Sequence, residues 1–322
     1  VALTGQVPTD FVGNDAFQET DTIGVTQPIT KYNIFSEDEE TVGEDVGTAW
    51  ALANEGRQGP TLVDLPKDIT QAETDAVPGG PETPDTYNPP TTADEAVVQA
   101  AAEALGAADR PVILAGGGVI KGEASDELRA FARECEIPVL TTMPGTGAFP
   151  QTDPLSQGIA GMHGTGYANL AISNCDVMLA IGTRFDDRLT GDIETFAPDA
   201  ELIHVDIDPA EISKNVAADY PLVGDAAAVL EQLTDAMTGQ PPADSWRETC
   251  QRWKDEYPLD YEMPEADPLK PQYVVESFDE VTPEDTIVAA GVGQHQMWAW
   301  QFWTFTEPRT WVTSHGLGTM GY

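Results

Sequence analysis

Apolar runs of strand length alternate with helical patterns through the middle of this chain, and this alternation is what most constrains its fold. The expected strands are 111–115, 137–141, 177–181 and 202–205, and the helical patterns are 93–105, 124–134, 167–174, 209–216 and 226–237. Strands joined through helices form right-handed crossovers and a parallel sheet with helices on both faces. The pattern therefore predicts a Rossmann-like layer that binds ligands at the carboxyl ends of its strands.

Two proline-rich segments divide the chain into three parts. Five prolines lie from Pro78 to Pro90, and six lie from Pro241 to Pro271 around a helical stretch at 244–256. Because proline neither continues a helix nor fills a central strand, both segments read as linkers. We expect domains at 1–76, 94–238 and 270–322, joined by linkers at 77–93 and 239–269.

The outer two parts show fewer elements than the middle one. The first carries a helical pattern at 43–55 and a strand at 61–64, and the last carries strands at 286–289 and 310–313. We expect both to be incomplete α/β domains. Since the chain starts at Val1 and stops directly after a glycine-rich turn, we also expect it to be an internal fragment of a longer polypeptide.

Composition excludes several classes of function. The chain has 15 Lys+Arg against 55 Asp+Glu, a net charge of −40, which argues against nucleic acid or an anionic membrane as a partner. With 41% hydrophobic and 8% aromatic residues it can bury real cores, so it is not expected to be disordered. The acids are scattered, which favours a surface adapted to high salt over a cation-binding or nucleic-acid-mimicking role.

Cysteine usage and hydropathy point to a reducing compartment. The three cysteines are widely spaced and fit neither a disulfide framework nor a zinc site. We expect no signal peptide, and no apolar run reaches membrane-spanning length. We therefore expect a cytoplasmic protein.

Glycines and acids follow the predicted strands of the middle part. Gly116, Gly117 and Gly118 stand between a strand and a helix, where they could admit a phosphate or simply form a tight turn. Asp206 ends another strand and could bind a ribose hydroxyl. Asp208, which precedes a proline, is expected to cap a helix.

Basic residues are scarce, so each is a stronger functional candidate than usual. Arg57, Lys67, Arg184 and Arg188 all lie beside strand ends or glycine-rich turns. A guanidinium at such a place can hold a carboxylate or a phosphate, although a solvated surface charge is the ordinary alternative.

The histidines and tryptophans carry weaker signals. His204 lies inside a strand and is expected in the core, whereas His163 and His295 lie in glycine-flanked loops typical of ligand contacts. No histidine pair has metal-ligand spacing, and neither H-E-x-x-H nor G-x-S-x-G occurs. The aromatic cluster around Trp298, Trp300, Phe302 and Trp303 is expected to pack in a core or an interface, with cofactor stacking as the alternative.

Eight motifs in one order give the chain a family resemblance. They resemble the large, catalytic subunits of acetolactate synthase (acetohydroxyacid synthase), which depend on thiamine diphosphate. The motifs are GQVPT at 5–9, DAFQE at 15–19, VDLPKD at 63–68, GMHG at 161–164, RFDDR at 184–188, HVDIDPAEI at 204–212, GVGQHQMW at 291–298 and GLGTMG at 316–321.

The resemblance implies a fold and an activity. It implies the thiamine diphosphate-enzyme fold, with the end of a pyrimidine-binding domain, a central FAD-binding domain and the start of a pyrophosphate-binding domain. The implied reaction is the decarboxylation of pyruvate and its carboligation to pyruvate or 2-ketobutyrate, a first step of branched-chain amino-acid biosynthesis. The implied cofactors are thiamine diphosphate, Mg²⁺ and a mainly structural FAD. A homodimer or homotetramer with a small regulatory subunit is also implied.

The resemblance also implies roles for individual residues. Phe17, Gln18 and Lys67 match the active-site channel, and Arg188 matches the residue that holds the acceptor's carboxylate. Gln294 and His295 match contacts to the diphosphate, and Met320 matches a contact to the aminopyrimidine. The remaining matched cofactor positions, mostly for FAD, are Arg57, Gly116, Gly117, Gly118, Thr141, Met162, His163, Gly164, Gly182, Arg184, Asp206, Asp225 and Gly318.

Several alternatives remain open. The family's catalytic glutamate and its metal-binding segment would lie outside the given residues, so the chain alone is expected to be inactive. Glyoxylate carboligase, pyruvate oxidase and simpler 2-keto-acid decarboxylases share the domain plan. A non-catalytic FAD-binding module and an acidic nucleic-acid mimic are readings from other classes.

Overall fold

Parallel sheets of three, six and two strands form the framework of the chain in a computed structural model, which describes residues 1–77, 79–263 and 269–322. The chain divides into two compact units, Val1–Pro89 and Pro90–Tyr322. Helices connect the strands in both units, so the α/β class expected from the sequence is confirmed. The finer division into three domains and two linkers stays a prediction, and Pro78, Pro264 and Pro268 lie outside the described residues.

The first unit is built on a three-stranded parallel sheet in the order β1-β3-β2. Its register pairs Gln6 at the end of β1 with Pro66 at the end of β3, so the loops after both strands leave the same edge. In chain order the elements are β1 (Ala2–Gln6), α1 (Thr22–Thr26), β2 (Tyr32–Phe35), α2 (Val42–Asn54), β3 (Thr61–Pro66) and α3 (Lys67–Gln71).

The second unit begins with a six-stranded parallel sheet. Its elements are α4 (Glu95–Ala107), β4 (Pro111–Ala115), α5 (Gly117–Lys121), α6 (Ser125–Cys135), β5 (Val139–Thr141), β6 (Ser156–Ile159), α7 (Gly166–Asn174), β7 (Val177–Ile181), α8 (Asp187–Thr190), β8 (Glu201–Asp206), β9 (Tyr220–Val223), α9 (Ala226–Ala236) and α10 (Asp244–Glu256). The strand order is β6-β5-β4-β7-β8-β9, the Rossmann arrangement. The order reverses between β4 and β7, which makes their carboxyl ends the topological switch point.

The second unit ends with a two-stranded parallel sheet and two helices. These are α11 (Pro271–Val281), β10 (Val288–Ala290), α12 (Gln294–Phe302) and β11 (Trp311–Thr313). The expected packing of the tryptophan-rich segment is confirmed at its centre, because Trp300 is buried, and Trp303 stacks on Phe305. No helix within the described residues is long and apolar enough to cross a bilayer.

Two apolar cores cover the two faces of the six-stranded sheet. Ile113 of β4 points into one core and Leu114 into the other, as the alternation of side chains along a strand requires. Cys135 belongs to the first core, and Cys175 and Cys250 belong to the second. Burial raises the pKa of Cys135 to about 11 and that of Cys175 and Cys250 to about 12, so all three thiols stay protonated.

One predicted helix is wrong. Residues 209–216 form consecutive turns, in which Ser213 has a left-handed φ of 57°. The Asp206 carboxylate accepts the Asp208 N–H at 2.9 Å, and the Asp208 carboxylate accepts the Ala210 N–H at 2.9 Å. Such local side-chain bonds offer the backbone an alternative to a helix. Asp208 therefore closes a turn instead of capping a helix.

Candidate functional site

The carboxyl edge of the six-stranded sheet collects most of the cofactor candidates. Because all strand pairs in this sheet are parallel, every strand delivers its following loop to the same edge. In strand order from β4 to β9, the residues delivered are Gly116–Gly118, Thr141, Met162–Gly164, Gly182 with Arg184, Asp206 and Asp225. Six separate chain segments thus place their candidates along one edge, where Rossmann-type proteins bind ligands.

Glycines bring two loops together at the switch point. The Gly118 N–H donates to the Gly182 carbonyl at 3.0 Å, and the Gly116 N–H donates to the Ile181 carbonyl at 2.8 Å. A Cβ on either Gly116 or Gly118 would collide with the Gly182 backbone. The glycines are thus required for close packing of two loops, and two of the three N–H groups are already used within the protein.

The loop after β6 is held by four hydrogen bonds to three partner residues. Asn169 of α7 exchanges two hydrogen bonds with the Gly161 backbone, at 3.0 and 2.9 Å. The Met162 N–H donates to the Arg188 carbonyl at 2.8 Å, and Gln301 Nε2 donates to the His163 carbonyl at 2.7 Å. This loop is therefore fixed in place, while the Met162 side chain stays exposed.

Arg188 lies on short helix α8, beside the loop after β6. Its guanidinium reaches the Met162 sulfur at 3.5 Å and the Asp187 carboxylate at 3.7 Å, and its side chain is 68% exposed. Asp186 caps this helix by accepting the Arg188 N–H at 3.1 Å. An exposed guanidinium on a backbone fixed in this way can receive the carboxylate of a small acid.

Two cationic side chains, Lys121 and Arg184, lie near His315 at the switch point. Partial desolvation, together with the positive charges of Lys121 and Arg184, lowers the pKa of His315, while Asp186 opposes the shift. Lys121 ends α5, Arg184 follows β7 and His315 follows β11. The loop after the two-stranded sheet therefore approaches the switch point, where Lys121 and Arg184 bring two positive charges beside Asp186, which pairs with Arg184 at 3.6 Å.

His204 is buried in the core, as expected from its position inside a strand. Its Nε2 lies 3.0 Å from the Thr183 carbonyl, and its ring packs edge-on against Phe185 at 5.0 Å between centroids. Burial lowers the pKa of His204, so it is neutral at pH 7. It supports the loop that carries Arg184.

Two acids at the sheet edge have structural partners. Asp206 closes the turn described above, and Asp225 is the N-cap of α9, accepting the N–H groups of Ala227 and Ala228 at 3.0 and 3.2 Å. Their predicted cofactor contacts are additional to these roles.

A second set of candidates surrounds the carboxyl ends of β10 and β11. Gln294 and His295 are exposed in the first turn of α12, directly after Gly293, whose φ of 149° favours glycine. Gly318 has a left-handed φ of 63°, and Met320 is exposed after β11. Free N–H groups in a first helical turn suit a diphosphate.

In the first unit, three candidates share the carboxyl edge of the small sheet. Phe17 and Gln18 lie in the loop after β1, and exposed Lys67 begins α3 directly after β3. Asp68 ties these loops together by accepting the Thr9 N–H at 3.0 Å, and Thr9 lowers the pKa of Asp68 through side-chain and backbone hydrogen bonds. Arg57 lies apart from them, before β3 and therefore at the opposite edge of the sheet.

Gln18 occupies an unusual backbone conformation. Its φ of 65° is left-handed, a region that non-glycine residues rarely adopt. The neighbouring Glu19 carboxylate accepts the N–H groups of Gly13 and Ala16, which lowers the pKa of Glu19. The tight loop thus presents Phe17 and Gln18 to solvent, and Phe17 is 89% exposed.

Sequence reasoning missed four residues that shape the site, namely Asn169, Gln301, Lys121 and His315. The scarcity of basic residues was a signal for Lys121, which stands just after the glycine triplet. The two amides gave no signal, because their partners are distant in sequence. Among the described residues, no three His, Cys, Asp or Glu side chains are grouped to hold a metal ion.

Two family descriptions match the chain. "Thiamine pyrophosphate enzyme, central domain" matches residues 98–233, which include the six-stranded sheet. "Thiamine pyrophosphate enzyme, C-terminal TPP binding domain" matches residues 291–322, which include α12 and β11.

Curated relatives align with the whole chain. It is 46% identical to the acetolactate synthase large subunit of Corynebacterium glutamicum and 46% identical to a probable acetolactate synthase large subunit of Methanocaldococcus jannaschii. It is 42% identical to the chloroplastic acetolactate synthase 1 of Zea mays. These alignments cover 100% of this chain but 52%, 56% and 51% of the relatives, so the chain spans about half of their length.

Proposed function

The chain belongs to the thiamine pyrophosphate enzymes and is homologous to acetolactate synthase large subunits, and we therefore propose that the whole protein is an acetolactate synthase. In this proposal it decarboxylates pyruvate and joins the remaining two-carbon unit to a second 2-keto acid, pyruvate or 2-ketobutyrate. The observation that carries the proposal is the convergence of candidates from six strands on one sheet edge, in a chain 42–46% identical to such enzymes.

FAD fits the carboxyl edge of the six-stranded sheet. At the switch point the loops after β4 and β7 approach each other through Gly116, Gly118 and Gly182, and Lys121 and Arg184 supply positive charge for a diphosphate. The proposed contacts are Gly116–Gly118, Thr141, Met162–Gly164, Gly182, Arg184, Asp206 and Asp225. Arg57 stays a proposed cofactor contact.

The residues around the first turn of α12 suit thiamine diphosphate. Gln294 and His295 are exposed at its first turn, and Gly318 and Met320 follow the neighbouring strand β11. When bound, thiamine diphosphate supplies the electron sink that the loss of CO₂ from a 2-keto acid requires. Mg²⁺, which we propose accompanies the diphosphate, would draw its ligands from outside the described residues.

The chain's own residues position the substrates. We propose that Arg188 holds the carboxylate of the acceptor 2-keto acid, since its guanidinium is exposed on a capped helix. Phe17, Gln18 and Lys67 are proposed to line the approach to the reacting atoms. Their shared edge and the Thr9–Asp68 contact support this role.

We further propose a cytoplasmic enzyme that assembles at least as a dimer and associates with a small regulatory subunit. The term "large subunit" in the relatives' names supports the last point. The net charge of −40 supports adaptation to high salt.

The reaction is tested with the protein from the complete reading frame, supplied with thiamine diphosphate, Mg²⁺ and FAD. Acetolactate as the main product from pyruvate supports the proposal. Acetaldehyde or acetate as the main product, or tartronate semialdehyde from glyoxylate, would move the protein to another branch of the superfamily. Flavin binding without any turnover of 2-keto acids would favour the non-catalytic module.

The acceptor role is tested by Arg188→Gln. Because a bidentate charged pair contributes about 1.5–3 kcal/mol, we expect KM for the acceptor to rise about 10- to 100-fold. Arg252→Gln is the control, since Arg252 is an exposed helical cation that pairs with Glu256, one turn away, at 3.7 Å. An unchanged acceptor KM in Arg188→Gln would remove this residue from the site.

A further inference from the structure

Helix α12 contacts the regions assigned above to two different cofactors. Its first turn carries Gln294 and His295, the proposed diphosphate contacts, and its last turn carries Trp300 and Gln301. The helix has nine residues, so its two ends are only about 13 Å apart. One short rigid element thus touches both sites.

The last turn of α12 forms hydrogen bonds with two segments near the proposed FAD site. Trp300 Nε1 donates to Thr146 Oγ1 at 2.7 Å, and both side chains are buried. Thr146 follows the turn Met143–Gly145, which packs against α5 and its glycines. Gln301 Nε2 donates to the His163 carbonyl at 2.7 Å, which fixes the loop proposed to contact the flavin.

The first turn of α12 is bonded to the sheet that frames the diphosphate site. Buried Gln296 donates from Nε2 to Thr313 Oγ1 at 2.7 Å, and Thr313 donates to the Ala290 carbonyl at 2.9 Å. These two bonds connect α12 to the ends of β11 and β10. These bonds fix the helix relative to both strands, and the position of the helix in turn sets the positions of Gln294 and His295.

We propose that α12 couples the two cofactor sites, so that FAD strengthens the binding of thiamine diphosphate through Trp300 and Gln301. These two are positioning residues: they act through Thr146 and the His163 loop, and neither is assigned a cofactor contact. FAD bound against the loop after β6 would hold the His163 carbonyl in its present position and, through the hydrogen bond from Gln301, the helix as well. The coupling is reciprocal, because linked binding equilibria change each other by the same factor. The inference rests on the cofactor assignments of the proposed function.

The experiment measures the thiamine diphosphate Kd in the complete protein, at saturating Mg²⁺, by titration calorimetry with and without FAD. We expect FAD to lower this Kd by about fivefold or more, the lower end of typical couplings. Gln301→Met removes the donor at similar volume, and Trp300→Phe removes the indole N–H while keeping a buried ring. Each should reduce the FAD effect to about twofold or less. Gln251→Met, on an exposed face of α10, should keep the full effect.

The outcomes separate the coupling from the proposed function. If both cofactors bind but the Kd ratio is near one in the unaltered protein, or is unchanged in both variants, the coupling is wrong and the function stands. If thiamine diphosphate fails to bind the unaltered protein, the proposed function fails and the coupling with it. If only FAD fails to bind, the FAD assignment and the coupling are wrong. Thermal unfolding of each variant identifies a fold defect, and the second variant then decides.

Discussion

Gly118 and Gly182 show how single residues set the distance between the loops after β4 and β7 at the switch point. Each approaches the other so closely that a Cβ on Gly118 would overlap the Gly182 backbone. Gly182 also has a left-handed φ of 58°, which favours glycine. Both requirements come from the packing of the loops after β4 and β7.

Gly118→Ala should destabilise the protein. The new methyl group has no space beside the Gly182 backbone, and overpacking of this kind costs about 1–3 kcal/mol. Gly239→Ala is the matched control, because a Cβ at exposed Gly239 meets nothing within 4 Å. Denaturant unfolding measures the difference in the free energy of unfolding. Equal stability of the two variants would show that the close approach does not restrict this position.

Residue-level prediction succeeded where a residue's signal is local. Gly116–Gly118 and His204 could be placed because their neighbours in sequence define a strand end or a strand. Gln301 could not be placed, because its partner His163 is 138 positions away. The predicted ligand roles of all the site residues remain predictions.

At the scale of elements, Asp225 serves α9 in a way that can be separated from a cofactor contact. As N-cap it accepts the N–H groups of Ala227 and Ala228, two of the donors that a helix leaves unpaired. Asp94 caps α4 in the same way, by accepting the N–H groups of Ala96 and Val97, and it is not a cofactor candidate.

Asp225→Ala and Asp94→Ala should each lower the free energy of unfolding by about 1 kcal/mol, the usual cost of losing an N-cap. Asp225→Asn should keep most of this stability, since asparagine is an equally good cap. FAD titration of the complete protein then isolates the cofactor role. Weaker FAD binding in Asp225→Asn but not in Asp94→Ala is expected, and unaltered FAD binding in Asp225→Asn would leave Asp225 only its capping role.

Elements were predictable where periodicity is long or burial is complete. Strands β4 and β7 and helix α10 occur at the predicted boundaries. Strands β6 and β9 were missed because SQGI and YPLV are four residues long and contain glycine or proline. The helix expected at 209–216 was wrong because the carboxylates of Asp206 and Asp208 bind nearby N–H groups.

At the scale of the whole molecule, the excess of acids is the dominant electrostatic feature. The salt bridges among the described residues involve mostly exposed side chains, which contribute little individually. Repulsion among the unpaired acids opposes the folded state until salt screens it. The cations near the switch point are the local exception to this pattern.

Salt should therefore stabilise the protein. Between 0.1 and 2 M KCl the Debye length falls from about 10 Å to about 2 Å, and we expect the melting temperature to rise by about 5 °C or more. Sorbitol at matched osmolality controls for general exclusion from the surface and should give a smaller rise. A melting temperature independent of KCl would mean that the acids do not destabilise the fold at low salt.

The three buried cysteines allow the two faces of the central sheet to be distinguished by the mass that the protein gains on alkylation. Because their thiols are protonated and enclosed, an alkylating reagent reaches them only when the surrounding layer opens. Cys135 marks one face, and Cys175 with Cys250 marks the other. One added label reports that the first layer has opened, and two added labels report that the second has opened. The mass of the labelled protein over time therefore gives the order in which the two layers open.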